Sequence, residues 1–160
     1  MRTRPWRSDG TDSGFTLVEV LVVVVVMAVG LLGGVALLLT GLRASRLALQ
    51  QTGAANLAAD LGDRIRANRA AGTAYALGAR TVLAPPAKPC QSPGECDPGE
   101  VAARDLYEWQ QAAMSALPEA RTSVRVAPAG TSSANVYVIL VEWMQADRAA
   151  DSRFAITVQT

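Results

Sequence analysis

The sequence predicts an α+β fold in which a long N-terminal helix, membrane-spanning in its first half, packs through its second half on a small antiparallel sheet. Three observations carry that expectation. The first is an uncharged run of 20 residues from Val20 to Leu39. The second is a continuation rich in helix formers from Arg43 to Ala71. The third is a group of Val-, Ile- and Tyr-bearing segments with period-two alternation near the C-terminus.

Composition narrows the function classes before any motif is read. The 160 residues suffice for one folded domain once a targeting segment is set aside. The net charge is +1, so no basic field points to nucleic acid as a partner. The chain has no histidine, which removes the commonest general base and metal ligand. No phosphate-binding glycine loop, nucleophile elbow or metal-ligand cluster is found in the sequence, and neither an enzyme nor a cofactor is expected.

Residues 1–14 are polar, carry Arg2, Arg4 and Arg7, and end in Gly14. An apolar stretch then runs over 15–42 with Glu19 as its one charge, and Arg43 and Arg46 follow it. At 1.5 Å per residue, 20 helical residues span about 30 Å, the thickness of a bilayer's hydrocarbon core. The run is longer than the apolar part of a cleaved secretory signal, about 7–15 residues. The arginine-bearing leader favours a cytoplasmic N-terminus. A plain anchor leaves Glu19 unexplained, because an ionised carboxylate in such a span costs on the order of 2–3 kcal/mol.

Residues 43–71 continue the helix as an amphipathic segment, with Leu47, Leu57, Leu61 and Ile65 as a sparse stripe and Asp60–Arg64 as an i,i+4 pair. Gly53 and Gly62 mark candidate bends, and the helix is expected to end near Gly72. Five prolines make 72–103 an irregular loop. A helix over 104–117 places Leu106, Trp109, Ala113 and Leu117 on one face and closes at Pro118. Strands are predicted at 123–127, 135–143 and 153–159; the middle one is apolar on both faces and is therefore assigned to the centre of the sheet.

Residues 14–19 read Gly-Phe-Thr-Leu-Val-Glu, at the boundary between the polar leader and the apolar helix. This resembles the class III signal of type IV pilins and pseudopilins. Further along, Cys90-x5-Cys96, Ala103-Arg104-Asp105-Leu106-x-x-Trp109, Leu117-Pro118 and Val141-Glu142-Trp143 follow in the order of the PilV type of minor pilin, which the chain resembles. The resemblance implies cleavage between Gly14 and Phe15 by a prepilin peptidase and N-methylation of Phe15. It also implies a role for Glu19 in subunit assembly, where its carboxylate neutralises the N-terminal amine of a neighbour. Opposite charges attract strongly in a low-dielectric bundle, and each alone is costly to bury.

By the same resemblance, 1–14 is a leader peptide, 15–42 a transmembrane and filament-core helix, and 43–160 a periplasmic domain. The partners implied are the prepilin peptidase, other minor pilins, the major pilin, a tip adhesin and the inner membrane. Adhesion and motility are the processes implied. Many major pilins have a proline midway along the apolar helix; here Gly30, Gly33 and Gly34 stand in that region instead. The nearest alternative is a minor pseudopilin of a type II secretion system. A DNA-uptake pilin would need a positive face, and only Arg64, Arg66 and Arg69 cluster.

With the domain outside the cytoplasm, Cys90 and Cys96 are expected to form a disulfide, worth roughly 2–3 kcal/mol on the chain-entropy model. A metal pair is the weaker alternative, since C-x5-C without histidine is poor zinc spacing. Trp109 and Trp143 are assigned to the core rather than to a binding surface. Asp105 is read as a helix N-terminal carboxylate, and Asp60, Asp63, Glu108 and Glu119 as solvated faces beside arginines.

Overall fold

A computed structural model describes residues 15–90, 94–128, 134–145 and 151–160. The leader 1–14, Gly14 included, lies outside the described residues. The chain divides into two compact units, Met1–Ala44 and Ser45–Thr160. Helix α1 (Leu17–Ala67) contributes its first part to one and its remainder to the other.

In the first unit every described residue is exposed. Mean hydropathy reaches 3.0 over the most apolar 18-residue window of α1, and no part of that window is buried. Val, Leu and Met side chains with no protein cover need another apolar medium, and the span has the length to find it in a bilayer.

The second unit contains every buried residue described. Its core joins Ala54, Ala58, Leu61 and Ile65 of α1 to Leu106, Trp109 and Ala113 of helix α2 (Pro98–Ala116) and to the inner face of a three-stranded sheet. The strands are β1 (Arg121–Pro128), β2 (Asn135–Met144) and β3 (Asp151–Gln159), in the order β1-β2-β3 and antiparallel throughout. β2 is central, as its two apolar faces predict. Tyr137, Ile139, Val141 and Trp143 point into the core, while Val136, Val138 and Leu140 form the half-covered outer row.

Several expected boundaries move. α1 ends at Ala67 rather than near Ala71, and residues Arg69–Tyr75 tighten into a 3-10 segment. Inside it Gly72 takes φ +51°, a conformation that favours glycine, and the chain turns there. The second helix starts at Pro98 rather than at residue 104. Asp97 is its N-cap: its carboxylate accepts from the Glu100 amide at 2.8 Å, and Glu100 Oε2 accepts from the Asp97 amide at 3.0 Å. Proline at the first helical position needs no N–H partner, so a residue that breaks helix interiors here begins one. The strands each run one to three residues beyond their expected ends.

Gly62 is not a bend. α1 is continuous through it, and a Cβ there would lie 3.1 Å from Val158 Cγ2 and 3.7 Å from Ile156 Cδ1. The glycine lets the helix sit close on β3. Gly53 meets nothing within 4 Å.

Candidate functional site

The described chain opens at Phe15, inside the motif singled out from the sequence. Phe15 is 81% exposed and precedes the first turn of α1. Thr16 caps that turn: the Glu19 amide donates to the Thr16 carbonyl at 3.0 Å and to Thr16 Oγ1 at 3.3 Å. The cap fixes Glu19 at the start of the helix, one turn from Phe15, with its side chain exposed. A carboxylate there is stabilised by the helix N-terminus, and it is the only charge between Phe15 and Leu42. Phe15 and Glu19 thus occupy one end of an uncovered apolar helix.

The second group of singled-out residues lies on α2 and works by holding the second unit together. The indole N–H of Trp109 donates to the Leu57 carbonyl on α1 at 2.8 Å, and the ring is buried. Asp105 is buried in the middle of α2, not at its N-terminus, which corrects the sequence reading. It accepts from the Tyr75 hydroxyl at 2.7 Å and from Arg64 Nη1 at 3.2 Å. Arg64 also reaches Asp60 at 3.0 Å and Glu108 at 2.9 Å. Asp60 and Glu108 therefore do more than face solvent: both close on Arg64. Arg104 Nη1 donates to the carbonyls of Pro89 and Cys90, tying the loop before α2 to the helix.

The electrostatics follow from this packing. Burial pushes the Tyr75 hydroxyl well above its ordinary value, and the bond to Asp105 pushes it further the same way. A phenol that holds its proton more tightly when folded contributes stability that is complete below its unfolded pKa and is lost as pH rises through the folded one. Arg64 is held above its ordinary value by Glu108, Asp60 and Asp105, against the opposing and larger single effect of desolvation. Two of the three clustered arginines are thereby occupied, since Arg66 pairs with Asp63 at 2.7 Å.

Cys90 and Cys96 are joined by a disulfide with Cα atoms 5.5 Å apart. Trp143 is buried with the core, as Trp109 is. Among the described residues no three His, Cys, Asp or Glu side chains converge as metal ligands.

Several residues that the sequence did not single out complete the fastening. Gln110 is buried and makes three bonds: its Oε1 accepts from the Leu83 amide at 2.8 Å, and its Nε2 donates to the Thr81 carbonyl at 2.7 Å and to Thr122 Oγ1 at 3.1 Å. Asn68 donates to the Pro98 carbonyl at 2.9 Å, joining the end of α1 to the start of α2. The Asp97-x-x-Glu100 spacing was a readable capping signal; nothing in the sequence marks Gln110 or Tyr75.

Two family models match the chain. The prokaryotic N-terminal methylation motif covers residues 11–35, and a model described as type IV pilin Tt1218 covers residues 36–107. No curated protein and no solved structure gives a significant match. The methylation motif spans Gly14, Phe15 and Glu19 and runs along the exposed part of α1 as far as Val35. The pilin model takes over at the next residue and ends within the face of α2 that holds the fold together. With that helix packed on a three-stranded antiparallel sheet, the chain is a type IV pilin-like protein.

Proposed function

We propose that the protein is a minor pilin of the PilV type, incorporated in a type IV pilus or priming its assembly, and acting through protein contacts rather than catalysis. Prepilin peptidase removes residues 1–14 and methylates the new N-terminus at Phe15. Loss of Arg2, Arg4, Arg7, Asp9 and Asp12 from 15 basic and 14 acidic residues leaves 12 of each. The mature chain is anchored in the inner membrane with Phe15 at the cytoplasmic side and residues 43–160 in the periplasm. In the filament, Glu19 meets the N-terminal amine of a neighbouring subunit and sets the axial stagger between helices. Other minor pilins, the major pilin and a tip adhesin are the partners.

The observation that carries this reading is one helix under two regimes. Residues 17–44 bury nothing, and residues 45–67 of the same helix carry the core of the second unit. An apolar helix of this length, begun by a cleavable signal, serves as an anchor in lipid and then as a strand of a helical bundle. The disulfide accords with an oxidising compartment for the second unit. A minor pseudopilin of a type II secretion system would share the signal, the helix and the sheet; the match to a type IV pilin model favours the pilus.

Intact mass measured from cells with and without an active prepilin peptidase tests the reading. The expected mature species begins at N-methylated Phe15 and appears only with the peptidase. A chain that keeps residues 1–14 in both strains would leave a plain membrane anchor in its place. Recovery in surface filaments sheared from the cell separates pilus from pseudopilus.

A further inference from the structure

The loop before α2 is fastened in two different ways. Its first part is held without sulfur: Leu77 exchanges backbone bonds of 2.9 and 3.0 Å with Val124, and buried Gln110 bonds the Thr81 carbonyl and the Leu83 amide. Beyond Leu83 that support stops. Pro85, Pro86 and Pro89 have no N–H to offer, and among the described residues no backbone–backbone hydrogen bond joins 84–90 to another segment. Packing does not replace it. No residue of 84–90 is buried, and a hollow of about 150 Å³ lies between Pro86–Lys88 and the Glu100 and Ala103 side of α2.

What fastens 84–90 converges on Cys90. Its disulfide ties the end of the segment to Cys96, the residue before the Asp97 cap of α2. Cys90 takes φ +50°, a left-handed conformation that a residue with a Cβ avoids unless something holds it there. In that conformation its carbonyl, with that of Pro89, accepts from Arg104 Nη1. Arg104 has little else to bond: its Nε is buried without a hydrogen bond, 3.4 Å from Glu108. The Lys88–Glu100 pair, at 2.6 Å, is open to solvent and adds little alone.

We propose that Cys90–Cys96 is a redox latch: thiol–disulfide exchange decides whether 84–90 lies on α2, and the core is the same in both states. The chain is synthesised with two thiols. To close the latch, one thiolate attacks an acceptor disulfide and forms a mixed disulfide, and the second thiolate displaces the acceptor's sulfur. The Cys90–Cys96 bond forms, and the acceptor leaves as a dithiol with the two electrons and two protons. A dithiol reductant runs the same exchange backwards. Both cysteines are half-exposed and within reach of such reagents. Once the bond is cut, Cys90 relaxes from its left-handed conformation, its carbonyl leaves Arg104, and only the solvent-exposed Lys88–Glu100 pair remains. The inference concerns the folded unit and does not rest on the filament reading.

Limited proteolysis of the detergent-solubilised full chain by subtilisin tests the latch, with each cut located by mass. Nicking reports how often a segment opens, and melting temperature reports on the core. Three samples are compared with the oxidised parent: the parent in dithiothreitol, the Cys90→Ser/Cys96→Ser variant, and oxidised Arg104→Gln. Nicking between Leu83 and Cys90 is expected to rise at least tenfold in the first two. Arg104→Gln raises it by a smaller factor, because its disulfide is intact. Melting temperatures stay near that of the parent, and glutathione disulfide restores protection to the reduced parent but not to the serine variant. Nicking unchanged by dithiothreitol overturns the latch, since the segment then stays seated without the bond. A fall in melting temperature that accompanies the nicking also overturns it, because the disulfide is then a staple of the whole unit.

Discussion

Residues 17–44 and 45–67 belong to one helix and obey the same backbone rules, yet they answer to different solvents. The first part presents Val, Leu and Met on every side and buries none of them. The second concentrates its burial on Ala54, Ala58, Leu61, Gly62 and Ile65, a stripe at helical spacing made mostly of small residues. An all-round apolar helix must be covered by lipid or by other helices, whereas a striped one needs a single partner surface. Small residues in the stripe then let that surface approach closely. The helix therefore runs from a segment that buries nothing into a compact unit with its own core, and damage to either part should leave the other intact.

The largest expected effect breaks the second part. Trp109→Ala removes a buried ring and its bond to the Leu57 carbonyl, and should destabilise the Ser45–Thr160 unit by about 3–5 kcal/mol. Thermal melting of the detergent-solubilised chain checks the size. Membrane association, measured by carbonate extraction, should be unchanged, because residues 17–44 make no contribution to that core. A loss of membrane association in this variant would contradict the separation.

The converse experiment breaks the first part. Val29→Asp puts a carboxylate near the middle of the span, at a cost of about 2.5–3.5 kcal/mol for insertion. Extraction by carbonate should rise steeply, while the melting temperature of the folded unit stays at the parent value. If melting falls as well, the span is packed against protein, and the exposed state of its side chains is not how the chain works.

How far the sequence showed this division depends on the kind of contact. The span was legible because twenty uncharged residues need no partner to be recognised. The face of Leu106, Trp109, Ala113 and Leu117 was legible because the helix period alone places them together, and β2 was central because it is apolar on both sides. Polar fastenings were not legible in the same way. Asp105 meets Tyr75 and Arg64 across 30 and 41 residues of sequence, so no local pattern could pair them. Beginning the second helix at Arg104 rather than Pro98 then gave Asp105 the wrong role, since a carboxylate near a helix start reads as a cap. The actual cap, Asp97 with Glu100, stood in the sequence but was obscured by the Pro98-Gly99 pair between them. Gly14-Phe15 and Glu19 were singled out from their motif alone, and the structure adds the Thr16 hydrogen bonds that seat Glu19 on the first turn.

The smallest effects come from two glycines of the second part, and they should have opposite signs. Gly62 lies against Val158 and Ile156, and a Cβ would stand 3.1 Å from Val158 Cγ2. Gly62→Val forces helix and strand apart and should cost about 1–3 kcal/mol, the usual range for overpacking. Gly53 lies nine residues earlier on the same helix, and a Cβ there meets nothing within 4 Å. Gly53→Ala should therefore stabilise by roughly 0.5–1 kcal/mol, because alanine restricts the unfolded chain and favours helix. Parallel melts of the two variants decide the matter. A destabilised Gly53→Ala would mean that the helix uses this glycine to bend, and that its continuous run from Leu17 to Ala67 is one conformation among others. A stabilised one leaves the close approach at Gly62 as the reason the second part of the helix keeps a glycine.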